Sequence, residues 1–113
     1  MNISNTAVTD RGMQQIALLS ELRSLNLSRT EINGRAMNQL KQLRNLQDLN
    51  LNFSRIDDRA LNDIASLGKL EKLYLQKTGI TNRGLLQLRD LPNLRKIGVW
   101  GTDVTRDGIE KTR

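Results

Sequence analysis

The sequence predicts an α/β solenoid, a stack of short coils that each give one strand and one small helix to a shared apolar core. Three observations predict it. Apolar residues recur every 24 residues along the whole chain. Each period contains a Leu-x-Leu or similar segment with the alternation of a strand. Each period then shows a capping residue followed by apolar positions at helical spacing.

The strand columns carry the longest record. Leu22, Leu46, Leu70 and Leu94 share one step, as do Leu25, Leu49, Leu73 and Ile97. Ile3, Leu27, Leu51, Leu75 and Val99 form a third column. In a strand, alternate side chains face opposite ways, so these leucines point inward and the residues between them point outward. Val8, Ile32, Ile56, Ile80 and Val104 continue the apolar record into the turn. Self-similarity at a fixed period is the mark of a repeat architecture, in which one coil buries its apolar face only against its neighbours.

The helix of each coil opens after Thr9, Asn33, Asp57, Thr81 or Thr105. All are residue types whose side-chain oxygen accepts from an unpaired helix N–H. The first buried helix column is Met13, Met37, Leu61, Leu85 and Ile109, and the second is Ile16, Leu40, Ile64 and Leu88. Leu19, Leu43, Leu67 and Leu91 follow in the return loop. A small residue precedes the first helix column each time: Gly12, Ala36, Ala60, Gly84 and Gly108. It lets neighbouring turns approach closely. Pro92 stops the fourth helix because it cannot donate a backbone N–H. The hydroxyl column Thr6, Thr30, Ser54, Thr78 and Thr102 is expected to satisfy loop backbone in adjacent coils.

The segment Leu70 to Leu85, written Leu-x-x-Leu-x-Leu-x-x-Thr-x-Ile-Thr-x-x-Gly-Leu, resembles the leucine-rich repeat family. It is similar to short bacterial repeats with a Thr-Asp-x-Gly-Leu signature, abundant in planctomycete-like bacteria. Val8-Thr9-Asp10-Arg11-Gly12-Met13 shows that signature most clearly. It is also similar to the cysteine-containing repeats of F-box proteins, with serine or threonine here in the cysteine column. The resemblance implies a right-handed leucine-rich repeat solenoid with a concave parallel β-sheet and short helices on the convex side. It implies binding as a role and specifies no ligand.

The chain has 113 residues and reads as a single domain, residues 1–113, of about four and a half repeats. There are no cysteines and no histidines. That excludes disulfides, thiol nucleophiles, the usual zinc sites and histidine acid–base chemistry. No phosphate-cradling glycine loop is present, so the expectation is a non-enzyme with no cofactor and no metal. No apolar run approaches the roughly 20 residues of a membrane span, and no membrane partner is expected. The N-terminus has neither a basic region nor an apolar stretch of a secretory signal. The compartment is not readable, with the cytoplasm as the default.

Both ends read as unfinished. The first strand begins at Met1, and the second helix column of the last coil falls on Thr112. No polar capping repeat is visible, although solenoids normally need one. The expectation is a piece of a longer chain, a subunit capped by a partner, or frayed ends.

Net charge is +6. It splits into +1 over residues 1–64 and +5 over residues 65–113, so the C-terminal half suits an anionic partner. The outward strand positions there are Lys72, Tyr74, Gln76, Lys96, Gly98 and Trp100, after a small polar N-terminal part that includes Asn26 and Asn50. Tyr74 and Trp100 are two of three aromatics in the chain. They fall on adjacent strands about 4.8 Å apart, with Gly98 leaving an open place between them. Exposed aromatics beside cations are typical of protein-binding hot spots. The alternative is that Trp100 covers the C-terminal edge of the core. Phe53 lies one position further on and either extends this surface or packs within its loop.

A second column, Arg11, Arg35, Arg59 and Arg83, ends in Asp107. It reads either as an anion-binding stripe or as a duplicated unit whose charge Asp10 and Asp58 soften. The function expected is protein–protein interaction through the concave sheet, centred on Lys72, Tyr74, Lys96 and Trp100. Nucleic-acid or polyanion binding by the basic half, and an architectural spacer, are the alternatives.

Overall fold

In the computed structural model, residues 1–32 and 34–112 are described, without the side chains at positions 10, 34, 35 and 112. Among the described residues five helices alternate with four strands: α1 Asp10–Ile16, β1 Ser24–Asn26, α2 Gly34–Leu40, β2 Asp48–Asn50, α3 Asp58–Ile64, β3 Lys72–Tyr74, α4 Asn82–Leu86, β4 Lys96–Gly98 and α5 Arg106–Thr112. The strands form one parallel sheet in the order β1-β2-β3-β4. Its register follows the 24-residue step, with Leu25 beside Leu49, Leu49 beside Leu73 and Leu73 beside Ile97. Ahead of β1, Asn2 bridges to Asn26 in the same parallel sense.

The sequence columns stack into one continuous core. Leu25, Leu49, Leu73, Leu27, Leu51, Leu75, Met37, Leu61 and Leu85 are all buried within it. Each fully buried leucine-sized side chain is worth roughly 1.5–3 kcal/mol over leaving it in water. A strand of three residues has no stability of its own, so this spine holds the coils. Toward both edges the same columns are only partly buried, at Ile3, Val8, Ile16, Leu22, Leu94, Ile97, Val99, Val104 and Ile109.

The helices are capped as the sequence predicts. Thr9 accepts from the Gly12 N–H, Asp57 from Arg59, Thr81 from Arg83 and Thr105 from Gly108. The cap assigned to Asn33 lies outside the described residues, as does the Thr112 side chain. Leu88 is buried although α4 ends two residues earlier, at Leu86.

The hydroxyl column works differently from the expectation. Thr6, Thr30, Ser54, Thr78 and Thr102 donate to the carbonyls of Ile3, Leu27, Leu51, Leu75 and Val99, at 2.6–2.7 Å. These bonds stay within one coil, three residues back, and close the turn that leaves each strand. The cross-coil bonds are made by main chain instead, such as Leu27 N–H to Asn50 O at 2.8 Å and Phe53 N–H to Gln76 O at 2.8 Å.

A second set of cross-coil ties sits at the helix starts. The Asp58 carboxylate accepts from both the Thr81 N–H, at 2.7 Å, and the Thr81 hydroxyl, at 2.5 Å. One coil on, Asn82 accepts from the Thr105 N–H and donates to its hydroxyl, each at 2.9 Å. Asp58 therefore serves as a clamp between coils as well as a neighbour of the arginine column.

Candidate functional site

The outward face of the sheet is built from three rows of side chains and a turn. Ser24, Asp48, Lys72 and Lys96 form the first row, in register across the four strands, and Asn26, Asn50, Tyr74 and Gly98 the second. Ser28, Asn52, Gln76 and Trp100 continue it at the strand exits by the same 24-residue step.

The asparagines of this face are not free ligand-binding groups. Asn26 accepts from the Ser28 N–H at 2.9 Å and Asn50 from the Asn52 N–H at 3.0 Å, while Asn2 takes both the N–H and the hydroxyl of Ser4. A side chain folding back on the backbone two residues ahead fixes a turn. Tyr74 takes the asparagine position in the third strand, and there Asn52 reaches across to accept from the Gln76 N–H at 2.7 Å.

Each such turn ends in a left-handed residue. Asn5, Arg29, Phe53, Lys77 and Gly101 all have positive φ, between 56° and 74°. Only glycine and asparagine adopt this conformation readily, yet three of the five are large. They are held because their N–H groups continue the ladder: Arg29 to Asn52 O, Phe53 to Gln76 O and Lys77 to Trp100 O, at 2.8–2.9 Å.

Three cation–aromatic pairs lie on this face: one within the left-handed column, one from that column to Trp100, and one between strand residues. The Arg29 guanidinium lies 4.1 Å from the Phe53 ring centroid, Lys77 Nζ 4.7 Å from that of Trp100, and Lys96 Nζ 5.8 Å from that of Tyr74. Exposed pairs of this kind contribute about 0.5–1 kcal/mol each. Trp100 is 65% exposed and Phe53 39%. Phe53 is partly covered, with the Arg29 guanidinium against its ring.

The place expected to be open at Gly98 is occupied from the side. A Cβ there would lie 3.2 Å from Gln76 Nε2 and 3.4 Å from Tyr74 Cδ1. Both side chains lean across the glycine. Gly101 is tighter, since a Cβ would lie 2.6 Å from the Lys77 side chain, which crosses this position on its way to Trp100.

The structure thus brings Tyr74 together with Lys96, and Gln76 with Tyr74 over Gly98, while Lys72 stands beside Lys96 on the first row. It adds Arg29 and Lys77, which the strand pattern did not single out. Their signal was the 24-residue step itself, which places Arg29 one coil from Phe53 and Lys77 one coil from the neighbour of Trp100. The arginine column is spread over the helix face. Arg11, Arg59 and Arg83 are exposed and Arg59 pairs with Asp57 at 3.5 Å, while the Arg35 side chain lies outside the described residues. Arg59 and Arg83 border a shallow depression shared with Asp58. Among the described residues, no group of three or more acidic side chains stands close enough to hold a metal ion.

A parallel sheet with one strand per 24-residue coil, short helices on the other side and a leucine spine between them is a leucine-rich repeat solenoid. A family model described as Leucine Rich repeat matches residues 42–65. Among solved structures, internalin C2 from Listeria monocytogenes is similar, with a TM-score of 0.73 and 26% identity over 88% of this chain and 42% of its own. A second Listeria monocytogenes internalin, inlF, matches with a TM-score of 0.57 and 17% identity over 88% of this chain and 35% of its own, a likeness of fold alone. The chain spans less than half the length of either internalin. No curated protein matches it in sequence.

Proposed function

We propose that the chain is a non-catalytic protein-binding module that takes its partner on the concave face of the sheet, around Lys72, Tyr74, Gln76, Lys96, Trp100 and Phe53. One observation carries the reading: the large exposed aromatics Trp100 and Phe53 stand on the sheet side, each with a cation placed against its ring. Large exposed aromatics with adjacent cations are the residues from which hot spots are built. The sheet holds them on ladder-bonded backbone, so little ordering entropy remains to be lost on binding. The Thr-Asp-x-Gly-Met segment at residues 9–13 supports placing these repeats with the short bacterial 24-residue kind.

A photo-crosslinking residue installed at position 76 or 100, and separately at 59 or 83, tests the face in cells of the source organism. The expected result is a protein adduct from positions 76 and 100 and none from 59 and 83. Adducts from the helix face alone would overturn the reading.

A further inference from the structure

We infer that the concave face is built for an acidic, extended protein segment, whose carboxylates lie against Arg29, Lys72, Lys77 and Lys96. The inference rests on the concave-face reading and gives its partner a chemistry.

The first argument is unspent charge. Lys72 and Lys96 are in-register neighbours on adjacent strands, about 4.8 Å apart at the backbone. Like charges placed opposite one another across strands are destabilising. Asp48 is in register with Lys72 on its other side, yet the ion pairs among the described residues are Lys41–Asp63, Arg59–Asp57, Arg95–Glu71 and Lys111–Asp107. None includes Arg29, Lys72, Lys77 or Lys96. The hydrogen-bond donors of these four cations are likewise unused within the described chain.

The second argument is preorganisation. Three of the four cations are held against an aromatic ring. A guanidinium or ammonium over a ring keeps its N–H donors for a further acceptor. Donors of that kind bond carboxylates more strongly than neutral acceptors.

The third argument is extent. The four cations reach from the coil of β1 to that of β4: Arg29 in the first, Lys72 and Lys77 in the third and Lys96 in the fourth, with Asp48 and Phe53 on the face of the second. Three strand spacings amount to about 14 Å, the span of about four to five residues of extended chain. A single small anion would bridge one or two of these positions. A segment with acidic residues at alternate positions places two or three charges on one side over that length and meets cations in more than one coil. Single-stranded nucleic acid binds by stacking bases on open aromatic faces, whereas each ring here already has a cation over it.

Trp100 is the only tryptophan, so its emission reports from within the site. The probes are a ten-residue alternating Glu-Ala peptide, its Lys-Ala counterpart and a mixed-sequence DNA duplex of equal charge. The Glu-Ala peptide is expected to change Trp100 emission saturably, and the Lys-Ala peptide not at all. The double variant Lys72→Glu, Lys96→Glu should weaken binding at least tenfold, and Lys72→Gln, Lys96→Gln by a smaller factor. Arg59→Glu with Arg83→Glu on the helix face should stay within twofold. No saturable change up to millimolar Glu-Ala peptide, equal weakening by the helix-face variant, or tighter binding of the duplex would each overturn the proposal. Photo-crosslinks from positions 76 and 100 to a protein without an acidic stretch would overturn it too, while leaving the concave-face reading standing.

Discussion

At the scale of single residues, the column Asn5, Arg29, Phe53, Lys77 and Gly101 shows backbone conformation and surface chemistry to be one problem. Five left-handed residues in register make the strand exit turn the same way in every coil. Four of them tolerate a side chain because their N–H groups or neighbours bind the next coil. At Gly101 the side chain is absent and the vacated space holds Lys77 against Trp100. Gly101→Ala therefore has two effects. A non-glycine residue in this backbone region costs about 1–2 kcal/mol, and the new Cβ displaces the lysine. Urea unfolding should show a lower midpoint with unchanged slope, and Trp100 emission should change in the folded state. An unchanged folded-state spectrum would show that Lys77 does not rest on the ring. Of this column only Phe53 stood out in the sequence, because its five members share neither size, charge nor hydropathy. What they share is a dihedral angle, which becomes visible only in coordinates.

At the scale of elements, the small residue ahead of each first helix column was legible, but its reason was not. The expectation was close approach of turns. The structure supplies a specific neighbour: a Cβ at Gly84 would lie 2.1 Å from Asp58 Oδ1, and one at Gly108 would lie against Asn82 Oδ1. The clamp of one coil fills the space over the glycine of the next. Position 34 is glycine and provides no clamp, and the residue 26 positions on is Ala60. Asp10, whose side chain is not described, precedes Ala36. Gly12 meets nothing nearer than Val8 Cγ1 at 3.6 Å. Alanine is favoured over glycine inside a helix by about 1 kcal/mol, so Gly12→Ala should raise stability slightly. Gly84→Ala gains the same propensity but must evict Asp58 from two charge-assisted bonds, each worth about 1.5–3 kcal/mol. It should therefore destabilise the chain by about 1–3 kcal/mol, the range of overpacking. In an Asp58→Gly background the cost should fall clearly, leaving only the 2.9 Å approach to the end of the Leu61 side chain. A double-mutant cycle by chemical denaturation reads this directly, and equal costs in both backgrounds would show that the clamp is not what requires the glycine. The helix caps, by contrast, were readable one by one, since a cap uses a local chemistry that a single side chain carries. The hydroxyl column was half legible: its structural role was evident, but the choice between its own coil and the next depends on turn geometry.

At the scale of the whole molecule, the fold was legible almost entirely, because a solenoid repeats one local arrangement and the sequence prints that arrangement several times. The sheet register is the 24-residue step read sideways. The proposed binding face was legible in its strand and strand-exit residues and in Phe53, but not in Arg29 and Lys77, since the cations on the left-handed turns sit where strand alternation no longer predicts direction. The same linear architecture makes stability depend on position. Stability in repeat proteins is close to a sum of coil and interface terms, so a substitution in an inner coil loses contacts to two neighbours. Leu49 is fully buried between Leu25 and Leu73, whereas Ile97, the same column two coils on, is only partly buried. Leu49→Ala should cost about 2–5 kcal/mol, the range for a leucine removed from a packed core. Ile97→Ala should cost clearly less, because its walls are open on the side where Leu94, Val99 and Ile109 line a groove of about 510 Å³. Hydrogen exchange should resolve the two as well. Leu49→Ala should speed exchange of amides in β1, β2 and β3, and Ile97→Ala chiefly in β4 and α5. Equal costs with uniform loss of protection would mean that the chain unfolds as one indivisible unit, and the nearest-neighbour description of this solenoid would fail.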